Sequence, residues 1–168
     1  VSSMLEMSDA ELTVLGEALS DLAAACEQLI LDLGAGISPQ VVLTALVAQQ
    51  VVLVTNPDLA ALTDAYALVK VLSTRYAEDS FAVLVNMARS EFEARKTFTQ
   101  LTRVAERFLH VSLRWAGYVP YDPEVPEAVR RQQAVLELAP ATPAARALEG
   151  LAERLCATPA QARAKGGL

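Results

Sequence analysis

The sequence is poor in cysteine and histidine, and this scarcity limits the chemistry it can carry. Of its 168 residues, two are cysteine and one is histidine. Cys26 and Cys156 lie far apart in the chain, and neither has His110 as a neighbour in sequence, so no zinc or haem spacing is present. We therefore interpret both cysteines as reduced residues in the core or at its edge, in a cytoplasmic protein.

Basic runs and export signals are also missing. The chain carries 14 Lys and Arg against 20 Asp and Glu, a net charge of −6, which argues against direct DNA binding. It begins at Val1 without a secretory signal, and we expect it to be part of something longer. Residues 33–57 are uncharged, but prolines, glycines and glutamines interrupt them, so we expect no membrane span.

Aromatic residues make up only 5% of the chain, whereas the hydrophobic share reaches 53%. Short β-prone runs alternate with segments of helical periodicity, which predicts one α/β domain over residues 1–156. Its sheet should be mostly parallel, with helices on both faces and a frayed tail at 157–168. The predicted strands are Leu29–Asp32, Val51–Thr55, Phe81–Val85 and Val111–Trp115. The predicted helices run from Ser8 to about Cys26, then Val41–Ala48, Ala60–Tyr76, Glu91–His110, Pro126–Leu136 and Ala144–Cys156, with a loop at Gly117–Pro123.

The stretch Gln28–Ser38 is the first candidate for a functional site. Its apolar run stops at Asp32 and is followed by Gly34 and Gly36. In nucleotide hydrolases such an acid holds Mg²⁺ through water, and the glycine N–H groups face the terminal phosphate. An ordinary buried strand that ends in a turn explains the same pattern, so on its own this stretch leaves both interpretations open.

Polar residues at the ends of the other predicted strands strengthen the first interpretation. Asp32, Thr55-Asn56, Asn86 and the Pro120–Asp122 loop each follow a strand, and parallel strands bring their carboxyl ends to one edge of a sheet. A nucleotide site is therefore expected there. Taken singly, Asn86 before Met87 or Asp122 before Pro123 is equally well explained as a turn former or helix cap.

Several longer motifs point to one family. They are Asp32–Ser38, Thr55–Asp58, Thr63–Lys70, Leu84–Ser90, Val104–Leu109, Gly117–Asp122 and Ala128–Ala134. Together they resemble the second half of a MinD/ParA-type ATPase, a P-loop NTPase fold, and most closely the flagellar-number regulators of the FleN/FlhG type. The resemblance covers about residues 8–155.

This resemblance implies roles for individual residues. Asp32 matches the aspartate that orders Mg²⁺ and its water, and Gly36 matches the glycine whose N–H meets the γ-phosphate. Asn86 matches the asparagine that binds the adenine edge. Pro120 and Asp122 fall in the loop that lines the other side of the base.

The resemblance also implies cofactors and partners. In the intact protein, ATP or ADP with Mg²⁺ is implied, together with dimerisation through a face that carries Asp58, near the partner's nucleotide, and Asp64. A flagellar transcription activator or basal-body protein is the implied further partner. We expect a cytoplasmic protein, with a peripheral position at the inner membrane or a cell pole left open.

The departures from the family pattern concern catalysis. The P-loop and the aspartate that positions the attacking water are absent, the only Lys-Gly-Gly is Lys165–Gly167 near the chain end, and Leu33 replaces a hydroxyl residue. Without groups that surround the phosphates, we expect this chain alone to have no catalytic residues, to bind no cofactor firmly and not to hydrolyse ATP. It should pair with a missing N-terminal half or associate with itself by strand swapping.

The expected function is therefore part of a MinD-like ATPase that regulates flagellar number or placement through ATP-dependent dimerisation. Two alternatives remain. One is an interaction module that keeps the fold without the P-loop. The other is a MinD/ParA-type division or partition ATPase.

Overall fold

The computed structural model describes residues 9–157, which form seven helices and three strands. In chain order these elements are α1 Asp9–Ala24, α2 Pro39–Val47, β1 Val51–Thr55, α3 Leu59–Tyr76, β2 Phe81–Ala88, α4 Glu91–Leu109, β3 Leu113–Pro120, α5 Glu124–Arg130, α6 Val135–Leu138 and α7 Pro143–Ala157. Of the predicted tail at 157–168, Ala157 belongs to α7, and the remainder, like the predicted helix start at Ser8, lies outside the described residues.

The three strands form a parallel sheet in the order β1-β2-β3, which confirms the predicted α/β class. The central strand β2 begins with five consecutive buried residues, as expected for a strand covered on both faces. The third strand starts two residues later than predicted and continues to Pro120. The predicted loop at Gly117 was therefore wrong. Gly117 has a φ of +133°, but it stays in the ladder opposite Leu84, and a glycine that is paired in this way looks like a turn in the sequence.

Helices cover both faces of the sheet, but not equally. On one face α2, α3 and α4 pack around Val69, Leu72 and Val83, none of which is exposed. On the other face, α7 places Ala144 and its neighbours against Leu84 of β2 and residues of β3. Strand β1 receives less cover on that second face, so the Val54 side chain is 59% exposed.

The predicted strand Leu29–Asp32 does not form. Residues 25–38 contain no helix and no strand, and the Ile30 side chain is 83% exposed. An apolar β-prone run becomes a strand only where it pairs with a neighbouring backbone, and within the described residues this run pairs with none of the three strands, the open edge of β1 included. Leu33 alone packs, partly buried, against the core formed with α2, α3 and α4.

The helices agree with the prediction except between residues 124 and 138. One helix was predicted at Pro126–Leu136, but α5 and α6 are separate, because Gln132 adopts a left-handed conformation with a φ of 54° that ends the first of them. Ser38 caps the start of α2, because its Oγ accepts the Val41 N–H at 3.5 Å.

Two further expectations concern cysteines and membranes. Cys26 and Cys156 are free and exposed, so neither is a core residue. Within residues 9–157 no helix has the length and apolar character needed to cross a bilayer.

Candidate nucleotide-binding edge

The carboxyl ends of the three strands lie at one edge of the sheet, which we call the carboxyl edge and define by Thr55, Asn86 and Pro120. Thr55 is paired with Val85, the residue before Asn86. Ala88 of β2 is in turn paired with Pro120. The parallel topology therefore brings these three predicted site residues to the same end of the sheet.

A bulge in β2 sets the position of Asn86. The pairing of β2 with β3 is irregular between Val85 and Ala88, and Met87 takes a left-handed φ of 57°. The Asn86 Oδ1 accepts the Met87 N–H at 2.9 Å, which fixes the orientation of the side chain. The ladder resumes at Ala88, whose carbonyl accepts the Tyr121 N–H at 2.8 Å. The bulge thus releases Asn86 from pairing just where a ligand would meet the edge.

Thr55 ends β1 and is the second notable residue here. Its side chain is 4% exposed, and its Oγ1 has no hydrogen-bond partner among the described residues. A buried hydroxyl without a partner costs roughly 1–3 kcal/mol, so such a group calls for an explanation. Thr102 Oγ1 on α4 is buried without a partner as well, so this feature of Thr55 does not by itself indicate a ligand.

Asp58 follows β1 and is the N-cap of α3, and Asp64 lies in the second turn of that helix. The Asp58 Oδ1 accepts the Ala60 N–H at 2.7 Å and so caps the helix, while its own N–H is bound by the Asn56 Oδ1 at 2.9 Å. Both aspartates are exposed. They are therefore open to solvent on the side of the molecule next to the carboxyl edge.

Asp122 occupies a different environment from the one implied for a residue that lines the base. It is 6% exposed, and both of its carboxylate oxygens are engaged. Oδ1 accepts the Glu124 N–H at 3.0 Å, and Oδ2 accepts the N–H of Ala144, in the first turn of α7, at 3.2 Å. Pro120, two residues earlier, is only partly buried.

The phosphate side of the predicted site is not assembled by the described residues. Asp32 lies exposed in the irregular segment 25–38, because the strand that should deliver it to the sheet is absent. Gly36 is exposed as well. Its φ of +99° demands glycine, although no atom lies within 4 Å of the place that a Cβ would take.

No group of three or more His, Cys, Asp or Glu side chains within the described residues is arranged to hold a metal. A Mg²⁺ ion here would have the Asp32 carboxylate as its one protein ligand, which suits an ion that usually keeps several of its waters and binds one or two carboxylates together with phosphate.

A contact between α7 and β3 was not predicted. Arg154 Nη2 donates to the Ala116 carbonyl at 3.2 Å, across 38 residues of sequence. A Cβ on Gly117 would lie 2.7 Å from that same nitrogen, which the flexible arginine side chain could relieve by moving, so it is the φ of +133° that favours glycine here. The only signal in the sequence was a glycine inside an apolar β-prone run, which also fits a turn.

Comparison with known proteins assigns the family. No family model matches the chain. The antiactivator FleN of Pseudomonas aeruginosa is 39% identical over 166 residues, which is 99% of this chain and 59% of that protein. The MinC:MinD cell division protein complex of Aquifex aeolicus has a chain of the same fold, with a TM-score of 0.68 at 19% identity over 89% of this chain and 59% of that one. This chain belongs to the MinD/ParA-type family.

Other relatives agree with this assignment. The flagellum site-determining protein YlxH of Helicobacter pylori is 30% identical over 68% of this MinD/ParA-type chain and 38% of that protein. An uncharacterized ATP-binding protein of Methanocaldococcus jannaschii is 28% identical over 90% of the chain and 54% of that protein. The chain thus spans between about two fifths and three fifths of the length of these relatives.

Proposed function

We propose that this chain is part of an ATP-binding flagellar regulator that controls the number or placement of flagella. Two relatives support this role by their names, the antiactivator FleN and the flagellum site-determining protein YlxH. The FleN similarity extends over 99% of the chain, so it includes the carboxyl edge as well as the core. Because the chain spans only part of these proteins, the proposal concerns the whole protein to which it contributes.

The observation that carries the nucleotide part of the proposal is the release of Asn86 by the β2 bulge beside Pro120. Asn86 would hydrogen-bond the adenine edge, and Pro120 would pack against the base.

The phosphates would lie toward Gly36, with Asp32 holding Mg²⁺ through water. When bound, Mg²⁺ neutralises charge on the phosphate oxygens. Because segment 25–38 is irregular and the P-loop is absent, the adenine side of the site is better formed than the phosphate side. We therefore expect the isolated chain to bind ATP weakly and not to hydrolyse it.

Dimerisation and partner binding complete the proposal. The exposed Asp58 and Asp64 on α3 would lie in the face that meets a second copy around the nucleotide. Asp58 is held in place because it caps α3. The ATP-bound dimer would then bind a flagellar transcription activator or a basal-body protein in the cytoplasm.

Calorimetry of the full-length protein with ATP and Mg²⁺ tests nucleotide binding. Asn86→Ala should weaken binding by about tenfold, since one good hydrogen-bonding side chain to a base contributes about 1–3 kcal/mol. Thr99→Ala on the outer surface of α4 is a control that should change nothing. Equal affinity of the Asn86→Ala protein and the wild type would contradict the adenine site. A sub-micromolar dissociation constant for the isolated chain would contradict the weak phosphate side.

Sedimentation and cell biology test the regulatory part. The full-length protein should be dimeric with ATP and monomeric with ADP, and Asp58→Lys should reduce the ATP-dependent dimer. Deletion of the gene should change the number of flagella per cell in electron micrographs. Unchanged flagellar counts in the deletion strain would rule out the flagellar role while leaving ATP binding untouched.

A further inference from the structure

The last helix, α7, is joined to the loop after β3 by a carboxylate that lies 22 residues earlier in the chain. Asp122 Oδ2 accepts the Ala144 N–H at 3.2 Å, and this bond is buried. The other oxygen, Oδ1, accepts the Glu124 N–H at 3.0 Å within the loop itself. The N–H groups of a first helical turn have no partner within the helix, and the helix dipole makes this end positive, so a carboxylate is well placed there.

A second contact holds the other end of α7. Arg154 donates a hydrogen bond to the Ala116 carbonyl of β3. Between these two points, Leu148 and Leu151 pack against the face of the sheet that α7 covers. Helix α7 is therefore attached near both ends to the strand that leads into the Pro120–Asp122 loop. Any shift of α7 away from β3 must break the bond to Asp122 or move the loop with it.

We propose that Asp122 is a positioning residue: it holds the loop that starts at Pro120 in place by tying it to α7, and it does not itself contact the nucleotide. Each of its oxygens accepts a backbone N–H, and although a carboxylate oxygen can accept a second bond, Asp122 is only 6% exposed and so presents little surface to a base. The position of α7 against β3 then sets how tightly the protein binds the adenine base. This inference rests on the proposed nucleotide-binding function.

Coupling of this kind acts in both directions. If a docked α7 favours nucleotide binding, then bound nucleotide must favour the docked α7 by the same factor. Backbone amides in the first turn of α7, including Ala144, should exchange their hydrogens more slowly when the full-length protein is saturated with ADP. This measurement needs no substitution, so it remains available if a variant fails to fold.

Substitutions at Asp122 test directly whether its two hydrogen bonds hold the loop in place against α7. Asp122→Ala should weaken ADP binding to the full-length protein by about tenfold, because two charge-assisted hydrogen bonds to the loop and helix are lost. Asp122→Asn keeps an acceptor for one of the two N–H groups and should lose less. Glu124→Ala removes an exposed carboxylate from the same turn but leaves the backbone N–H of residue 124 in place. The ADP affinity of this variant should therefore equal that of the wild type.

Removal of the donor distinguishes positioning from direct contact. Ala144→Pro abolishes the N–H that Oδ2 accepts and leaves the Asp122 carboxylate in place. Because Ala144 is fully buried, Ala145→Pro, at an equally buried neighbour whose N–H binds Thr142, is the matched control for strain from the added ring and should weaken ADP binding less. We expect Ala144→Pro to weaken ADP binding as Asp122→Ala does, with little further loss in the double variant. Wild-type affinity in Ala144→Pro, combined with lost affinity in Asp122→Ala, would mean that Asp122 touches the nucleotide and would overturn the proposal.

Different results would contradict the link that Asp122 makes between the loop and α7 and the nucleotide-binding function. If the wild type bound no nucleotide, the proposed function would be wrong. Faster amide hydrogen exchange at the start of α7 in nucleotide-free Asp122→Ala, but not in Glu124→Ala, would still establish that Asp122 links the loop to α7. Unchanged exchange in Asp122→Ala, or no added protection of α7 by ADP in a protein that binds it, would overturn the positioning role while leaving nucleotide binding in place.

Discussion

At the scale of single residues, the most informative feature is a set of left-handed backbone conformations outside glycine. Ala77, Met87, His110 and Gln132 all have φ between 54° and 57° among the described residues. Ala77 and His110 cap the ends of α3 and α4, Gln132 follows α5, and Met87 lies in the β2 bulge next to Asn86. An L-residue in this region costs roughly 1–2 kcal/mol relative to its usual conformations, so each position is strained.

The cap at Ala77 gives a stability prediction. Ala77→Gly should raise the free energy of unfolding by about 1 kcal/mol, since glycine adopts this conformation without a Cβ clash and is the preferred residue after a helix. Ala67→Gly, in the middle of α3, is the matched control and should lower stability by about 1 kcal/mol. Urea denaturation of the full-length protein measures both. A loss of stability in Ala77→Gly would contradict the strain at this cap.

Glu127 on α5 gives a prediction about pH. Its carboxylate accepts hydrogen bonds from Arg130, at 2.6 and 3.0 Å, and from Arg131 at 2.7 Å. These bonds, chiefly those of Arg130, hold the pKa of Glu127 below its usual value of 4.5. A carboxyl whose pKa falls on folding stabilises the protein above its unfolded pKa, and this contribution disappears as the pH falls through the lowered value.

Carbon-detected NMR titration of the Glu127 carboxyl measures this shift. Arg130→Gln should raise the pKa of Glu127 more than Arg131→Gln does, and the double variant should restore the ordinary value. High salt should act in the same direction, because the groups lie at the surface and their attraction is screened. An unchanged Glu127 pKa in the double variant would show that these arginines are not the cause.

At the scale of elements, segment 28–34 shows that β propensity does not make a strand without a partner. The run Gln28–Leu33 is apolar enough to be a central strand, but it stays irregular, and Ile30 is largely exposed. The strands that do form, β1 to β3, each have a neighbour in register. The segment lacks the stabilisation that hydrogen bonds to an adjacent strand would give, and it cannot make these bonds within itself.

Hydrogen exchange tests this interpretation. In the isolated chain, the amides of Leu29–Leu33 should exchange at nearly unprotected rates, while those of Val83–Val85 in β2 should be strongly protected. A longer polypeptide that supplies an adjacent strand should slow the exchange at Leu29–Leu33 and leave β2 unchanged. Strong protection of Leu29–Leu33 in the isolated chain would mean that this segment is paired without help.

At the scale of the whole molecule, β1 is a sheet edge beside an incompletely covered apolar face. Its outer side has no strand partner among the described residues, and Val54 is 59% exposed while Val52 is only partly buried. A parallel edge of this kind pairs readily with other chains. We therefore expect the isolated chain to associate with itself and not to remain monomeric.

Sedimentation of the isolated chain tests this association. The wild type should show concentration-dependent oligomers, and Val54→Lys should reduce them, because a charge on an edge strand opposes pairing. Val129→Lys is the matched control: Val129 on α5 is 72% exposed, away from the edge, so this change should leave the association intact. A wild type that stays monomeric at all concentrations would show that the sheet tolerates its open edge, and would favour an interaction module over a part of a larger domain.

The sequence by itself determined those elements whose signals are local. The alternation of β-branched runs with helical periodicity predicted β1, β2 and five of the seven helices in type and approximate position. The Ser38 cap and the Glu91–Arg95 ion pair, at 3.2 Å, are local in the same way, since each links residues three or four positions apart. Convergence of Thr55, Asn86 and Pro120 followed from parallel topology alone.

The tertiary structure decided everything that depends on distant neighbours. Only the fold shows that Leu29–Asp32 has no partner strand, that Gly117 is kept in the ladder with Arg154 against it, and that Asp122 binds Ala144 across 22 residues. A strand, a close approach and a buried carboxylate each depend on groups that come together only after the chain folds. Their energies arise from those contacts, and the residue types along the chain carry no record of which contacts will form.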